Sequence, residues 1–179
     1  FDTDALTVNG YFGYEGIEPF IKDCETYGKG IFVLVKTSNK GSEEFQCVNT
    51  KEYGKNYQLM GSLVKEWGSS LIGEYGYSSV GAVVGATFPH EAEILRISMP
   101  NTIFLVPGYG AQGGTADDAV PCFNKDGLGA LINSSRKIIY AFNGKNDEEN
   151  FAEYAREAAI EMKEDIRKSL KKEKLYRWD

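Results

Sequence analysis

Five short apolar runs set the strongest limit on how this chain folds. They are ALTVN (5–9), IFVLVKTSN (31–39), VGAVVGAT (80–87), TIFLVPG (102–108) and GALINSS (129–135). Their centres are nearly continuous hydrophobic stretches, not alternating ones. That is the pattern of strands covered on both faces, as in a parallel sheet. Parallel neighbours need crossover connections, and the segments between the runs carry helical periodicity. The stretch GIEPFIKDCETYG sets Ile17, Phe20, Ile21 and Cys24 at helical spacing, with Gly28 placed to end the helix. In NYQLMGSLVKEWGSSL, residues Leu59, Met60, Leu63, Val64 and Trp67 form one stripe. PHEAEILRISM has Pro89 at a helix start and Pro100 just past the end. ADDAVPCFNKDG is a weaker, proline-interrupted candidate.

The longest helical pattern starts near Asp147. It carries Phe151, Tyr154, Ala155, Ala158, Met162, Ile166 and Leu170, with an acidic first turn and a basic end. Its tail, KSLKKEKLYRWD, reads as a solvated, partly frayed end. The stretch from Gly41 to Ser79 is longer than the other crossovers. It reads as an insertion after the second strand plus one helix, with EEFQCVNT as an extended loop. Strand–helix alternation repeated five times predicts right-handed βαβ units in an α/β fold. The chain is expected to form one domain, 1–179, with 147–179 as its C-terminal amphipathic helix and tail.

Composition narrows the function classes. A formal net charge of −6 over 179 residues argues against wholesale binding to nucleic acid or to an anionic membrane. An anionic small ligand remains compatible, because a site's potential depends on local donors. Cys24, Cys47 and Cys122 are far apart and odd in number, and His90 is the only histidine, so no metal site is expected. Reduced thiols, the absence of a signal peptide and the lack of a membrane-spanning apolar run predict a cytoplasmic protein.

In parallel α/β folds, ligands sit at the carboxyl ends of the strands. Here those ends are Asn9-Gly10-Tyr11, Lys36-Thr37-Ser38-Asn39, Gly85-Ala86-Thr87, Pro107-Gly108-Tyr109-Gly110-Ala111-Gln112 and Asn133-Ser134-Ser135-Arg136. They are polar or glycine-rich, and the opposite ends are not. A glycine-dense loop exposes backbone N–H groups and lets an anion approach. The turn after Asn133 offers a helix start and a guanidinium, Arg136, suited to bidentate phosphate binding. Gln112 has both a donor and an acceptor and can bridge a phosphate and a neutral heterocycle. Plainer readings stand beside these. The glycines serve an ordinary turn, Arg136 a surface ion pair, and Ser38 a strand-end cap. Lys36 points either into a site or outward between helices, the second being favoured. His90 is read as exposed, and Asp117 and Asp118 as first-turn helix charges.

Taken in order, DALTVNGYFG, FVLVKTSN, VGAVVGAT, FLVPGYGAQGG and ALINSSRKIIYA resemble the second half of the orotidine 5′-phosphate decarboxylases in their longer bacterial form. KTSN, PGYGAQGG and NSSR in that order are specific together and weak singly. Much of the family has Gly-Arg where this chain has Ser135-Arg136; the long form has Ser-Arg. The resemblance implies a (β/α)8 barrel, of which this chain would hold about strands four to eight. It further implies a homodimer and the cofactor-free conversion of orotidine monophosphate to uridine monophosphate in pyrimidine biosynthesis. Carried over by motif, Ser38, with Thr37 beside it, would face the pyrimidine, and Pro107 would line the base pocket. Gln112, flanked by Gly108 and Gly113, would reach base and phosphate. Ser135, through its backbone N–H, and Arg136 would clamp the phosphate. The family's Asp-x-Lys-x-x-Asp motif does not occur in this sequence. The resemblance therefore implies no catalytic residue in this chain, an upstream half that supplies the lysine, and inactivity of these 179 residues alone. Two other readings are a non-catalytic nucleotide-phosphate-binding fragment and a related sugar-phosphate barrel lyase.

Overall fold

The computed structural model describes residues 2–145 and 147–175. Each apolar run becomes a strand: β1 (Ala5–Val8), β2 (Gly30–Lys36), β3 (Ser78–Val84), β4 (Thr102–Val106) and β5 (Ala130–Ile132). They pair in parallel in chain order, β1-β2-β3-β4-β5. The result is an open arc of barrel wall, with β1 and β5 at its edges.

Register assigns each residue to a face. Leu34, Val83, Leu105 and Leu131 are successive cross-strand neighbours, as are Val33, Ala82, Phe104 and Ala130. The second row faces the helices and joins the main core with Val35, Val64, Val80, Leu95, Met99 and Val106. The first row lines the concave side, where Leu131 is 53% exposed. Continuous apolar strands thus have one face packed by helices and one face of barrel interior.

The helices are α1 (Tyr14–Tyr27), α2 (Glu43–Gln46), α3 (Asn56–Trp67), α4 (Pro89–Ser98), α5 (Ala116–Ala119), α6 (Ser135–Ile139) and α7 (Phe151–Lys172). Gly28 ends α1 in the left-handed region, φ 62°, a conformation that favours glycine. Pro89 opens α4. The stripe expected on α3 holds in four of its five residues: Val64 and Trp67 are buried and Met60 and Leu63 pack against the core, while Leu59 lies outside it and Tyr57 and Gly61 are buried in addition. A glycine at 61 allows this, since a Cβ there would come within 2.7 Å of Leu95 and 3.1 Å of Met99. EEFQCVNT is not wholly extended. Its first four residues form α2, after a 3-10 turn over Lys40–Ser42. Gln46 provides the reason, bonding back to both the amide and the hydroxyl of Thr37. The last helix begins at Phe151, after a 3-10 turn over Glu148–Asn150. The end of the tail read as frayed, 176–179, lies outside the described residues.

Arg96 on α4 carries a signal that the hydrophobic pattern hides. It is 6% exposed, and its guanidinium lies 3.6 Å from the Phe104 ring centroid. It donates to the carbonyls of Cys122, Met99, Pro100, Thr102 and Gly129. A fork of five N–H groups fits this many acceptors. Burial lowers its pKa to about 10, still charged at neutral pH. It ties the amino ends of β4 and β5 together, on the side away from the polar loops.

Candidate nucleotide-phosphate site

At the carboxyl ends of β4 and β5, a cavity of about 150 Å³ is lined by Pro107, Gly108, Tyr109, Ala111, Gln112, Asn133, Ser134, Ser135 and Arg136. Gln112 and Arg136 therefore border one space, not opposite faces. Arg136 is exposed, and its guanidinium has no hydrogen bond or ion pair among the described residues. Small-molecule sites typically measure about 300–1,000 Å³. This one has room for a phosphate-sized group, and a larger ligand would extend over the concave sheet face. A bigger cavity of about 650 Å³ opens between β5, α6 and α7, lined largely by apolar residues such as Ile138, Met162 and Ile166. It lies on the unpaired edge and carries little of the polar chemistry.

Ser38 reaches the same place from β2. Its hydroxyl donates to Gln112 Oε1 at 3.0 Å, and its carbonyl accepts from the Thr87 hydroxyl at 3.0 Å. The loops after β2, β3 and β4 are thus tied around Ser38. Thr37 sits beside it with its side chain turned to Asn39 and Gln46. Pro107 bridges strands, its carbonyl accepting from Ala86 N–H at 2.8 Å.

The glycines have a more specific task than exposing backbone. A Cβ on Gly85 would lie 2.7 Å from Ser38 Cβ, and one on Gly108 (φ 105°) 3.0 Å from it. Both residues make room for Ser38. Gly110 (φ 77°) makes room for Lys137 and Ser134 in the same way. Gly113 (φ 94°) is the open one, with nothing within 4 Å of an added Cβ. Most of the space that glycine provides is filled by the neighbouring loop.

The β5 turn is held to the β4 loop, since Ser134 Oγ donates to Tyr109 O at 3.0 Å. Ser135 and Arg136 begin α6, so their N–H groups belong to a first turn that lacks intrahelical acceptors. Asn133 Oδ1 is buried without a partner, the only such side-chain atom among the described residues. Asn133 and Tyr109 fall within the strand ends read as ligand-bearing, but the sequence assigns neither a role there. The only available signal was their position beside Ser134 and the glycines.

Lys36 does not enter the cleft. A bulge between Leu34 and Lys36 pairs it with Val84, and it is fully buried. Its ammonium donates to Ser42 Oγ at 2.7 Å and lies 3.6 Å from the Phe88 ring centroid. Burial lowers its pKa, opposed by Cys47, Glu91 and Glu43. His90 is exposed. Asp118 caps α5 with Thr115, and Asp117 pairs with Lys172 at 3.0 Å. All three cysteines are free. Burial raises the Cys122 thiol to about 12, which makes it inert as a nucleophile. No group of three or more His, Cys, Asp or Glu among the described residues could hold a metal ion, and none of the described helices is long and apolar enough to cross a membrane.

An all-parallel arc of β/α units, with its polar loops gathered at the strands' carboxyl edge, defines a protein of the β/α-barrel class. Residues 1–151 match the orotidine 5′-phosphate decarboxylase / HUMPS family. An orotidine 5′-phosphate decarboxylase of Clostridium perfringens is 44% identical over 172 residues, covering 96% of this chain and 60% of the relative. One from Rhodopirellula baltica is 45% identical over 171 residues, covering 92% and 56%. Among solved structures, a Toxoplasma gondii protein assigned as an orotidine-monophosphate-decarboxylase superposes with a TM-score of 0.77 at 33% identity, covering 94% of this chain and 60% of that one. The OMP decarboxylase of Leishmania donovani gives 0.66 at 30%, covering 89% and 58%. The chain belongs to the orotidine 5′-phosphate decarboxylase family, and its five strands are part of a (β/α)8 barrel. It spans about 60% of the length of the Clostridium relative.

Proposed function

We propose that this chain is the C-terminal portion of an orotidine 5′-monophosphate decarboxylase and supplies the grip on phosphate and pyrimidine. Arg136 and the first-turn N–H of Ser135 bind the phosphate from one side, and Gln112 and the open backbone at Gly113 from the other. Ser38, joined to Gln112, faces the base, with Thr37 behind it and Pro107 and Gly108 forming the wall. The observation that carries this reading is the shared cleft: Gln112 and Arg136 line one small cavity, and Ser38 is bonded to Gln112 at its mouth.

The chemistry assigns the remaining roles. Decarboxylation leaves negative charge at the pyrimidine carbon, and a fixed cation beside it stabilises that charge most. The one lysine at a strand end next to Ser38, Lys36, is buried against Ser42 and Phe88, so it does not serve. In this reading the family's lysine and its flanking carboxylates fall to the part of the relatives' length that this chain does not span. The phosphate grip then contributes remote binding energy that the reacting centre uses, in a cytoplasmic homodimer that needs no cofactor. The chain alone turns over no substrate.

Calorimetric titration with uridine monophosphate tests this. The chain should bind it, and Arg136→Ala should weaken binding by about ten- to a hundredfold, the range of a lost charge-assisted contact. Equal affinity of the two proteins would sink the assignment.

A further inference from the structure

The loop that carries Gln112 is rich in residues that cannot hold it still. Gly108, Gly110 and Gly113 all have positive φ, and such positions cost the most conformational entropy when ordered. Between the first two stands Tyr109, only 5% exposed. Its backbone carbonyl is held by Ser134. Its side chain points the other way, and its hydroxyl donates to Asp165 Oδ2 on α7 at 2.8 Å. The ring packs with Met162 of the same helix. Lys137, one residue past Arg136, lies 5.3 Å from the Tyr109 ring centroid and 3.6 Å from Glu161 of α7. One helix therefore fastens both loops that border the cleft. The family match ends at residue 151, where α7 begins, while the alignment with the Clostridium relative, over 172 residues, runs on into this helix.

We infer that Asp165 is a positioning residue for the nucleotide-phosphate site, acting through Tyr109 to fix the Gln112 loop. Asp165 touches no ligand. It removes the freedom of a loop that its glycines would otherwise leave mobile, so the entropy of ordering is spent in folding and not on binding. The inference rests on the function proposed above.

The test uses the full chain with Tyr109→Phe, Asp165→Ala, Asp165→Asn and the double variant Tyr109→Phe/Asp165→Ala, titrated with uridine monophosphate. Amide hydrogen exchange is followed without ligand. Tyr109→Phe and Asp165→Ala should each weaken binding about three- to tenfold, the value of one hydrogen bond. The double variant should be no worse than the singles. Asp165→Asn keeps a carbonyl acceptor for the phenol and should bind within about twofold of the unmodified chain, which a purely charge-based effect would not allow. Exchange at residues 108–114 should quicken in Asp165→Ala while β2 to β4 stay protected; a merely structural role would loosen both. Unchanged affinity in the singles, additive losses, or unchanged exchange at 108–114 would overturn the inference even if the chain binds nucleotide. If 108–114 loosens as expected but the unmodified chain binds no uridine monophosphate, the functional reading is what fails, and the inference falls with it.

Discussion

Two arginines in this chain show how burial divides the roles of one residue type. Arg136 is exposed and has no ion pair among the described residues, so its loss should leave folding within about 0.5 kcal/mol while ligand affinity drops. Arg96 is the reverse. Removing it takes a donor from five carbonyls; those of Met99, Pro100 and Gly129 keep a second partner, while a buried carbonyl left unmet costs about 1–3 kcal/mol, with partial recovery by water. Arg96→Met should therefore lower stability by about 2–6 kcal/mol, read as a shift of the urea midpoint. Lys36 gives a test in pH. Burial depresses its pKa below the ordinary 10.5, so between the folded and unfolded values the unfolded chain binds more protons. Stability should then rise with pH through that window and level off above 10.5. The difference between the chain and Lys36→Met, measured by denaturation from pH 7 to 11, should show that rise. A flat difference would mean the ammonium is not penalised by its surroundings. Arg96 and Lys36 also mark where sequence reading stops. Both sit in apolar surroundings whose closeness depends on contacts from distant elements, such as Cys122 on Arg96 and Phe88 on Lys36, and no local pattern encodes those.

The strands and most helices were legible because their signals are local. Apolar runs of the right length, Gly28 and Pro89 all act within a few residues. The burial of Gly61 on α3 was not, because that residue looks like a weak helix position until Leu95 is seen to need its space. The same holds for α2, which depends on Gln46 reaching back to Thr37. The strand-end loops were legible as a group, since their polar and glycine-rich composition stands out against the strands. Their division of labour was not: the glycines look ligand-facing in sequence, yet Gly85 and Gly108 mainly receive Ser38. This makes Gly85→Ala a useful probe. Its Cβ would press on Ser38 backbone at 2.8 Å, and the loop after β2 must shift. Stability should fall by about 1–3 kcal/mol, with weaker uridine monophosphate binding measured in the same preparation. A variant with normal affinity would separate Ser38 placement from ligand recognition.

At the scale of the molecule, the concave face is the exposed consequence of five strands bent into part of a barrel. Leu34, Leu105 and Leu131 lie along it, and large exposed apolar surface marks an interaction site. The chain alone should bind a hydrophobic dye such as anilinonaphthalene sulfonate. The signal should fall when a polypeptide spanning the rest of the relatives' length is supplied. Dye binding that does not respond to such a polypeptide would argue against a shared barrel. The two free edges add a condition of their own. Each presents unmet backbone donors and acceptors, and a cylinder of eight strands leaves a gap three strands wide. A complement offering one or two strands quiets one margin and merely moves the other. Only a piece long enough to touch β5 and β1 at once leaves nothing to template further growth, so complementation should switch on with length as a step, not a slope.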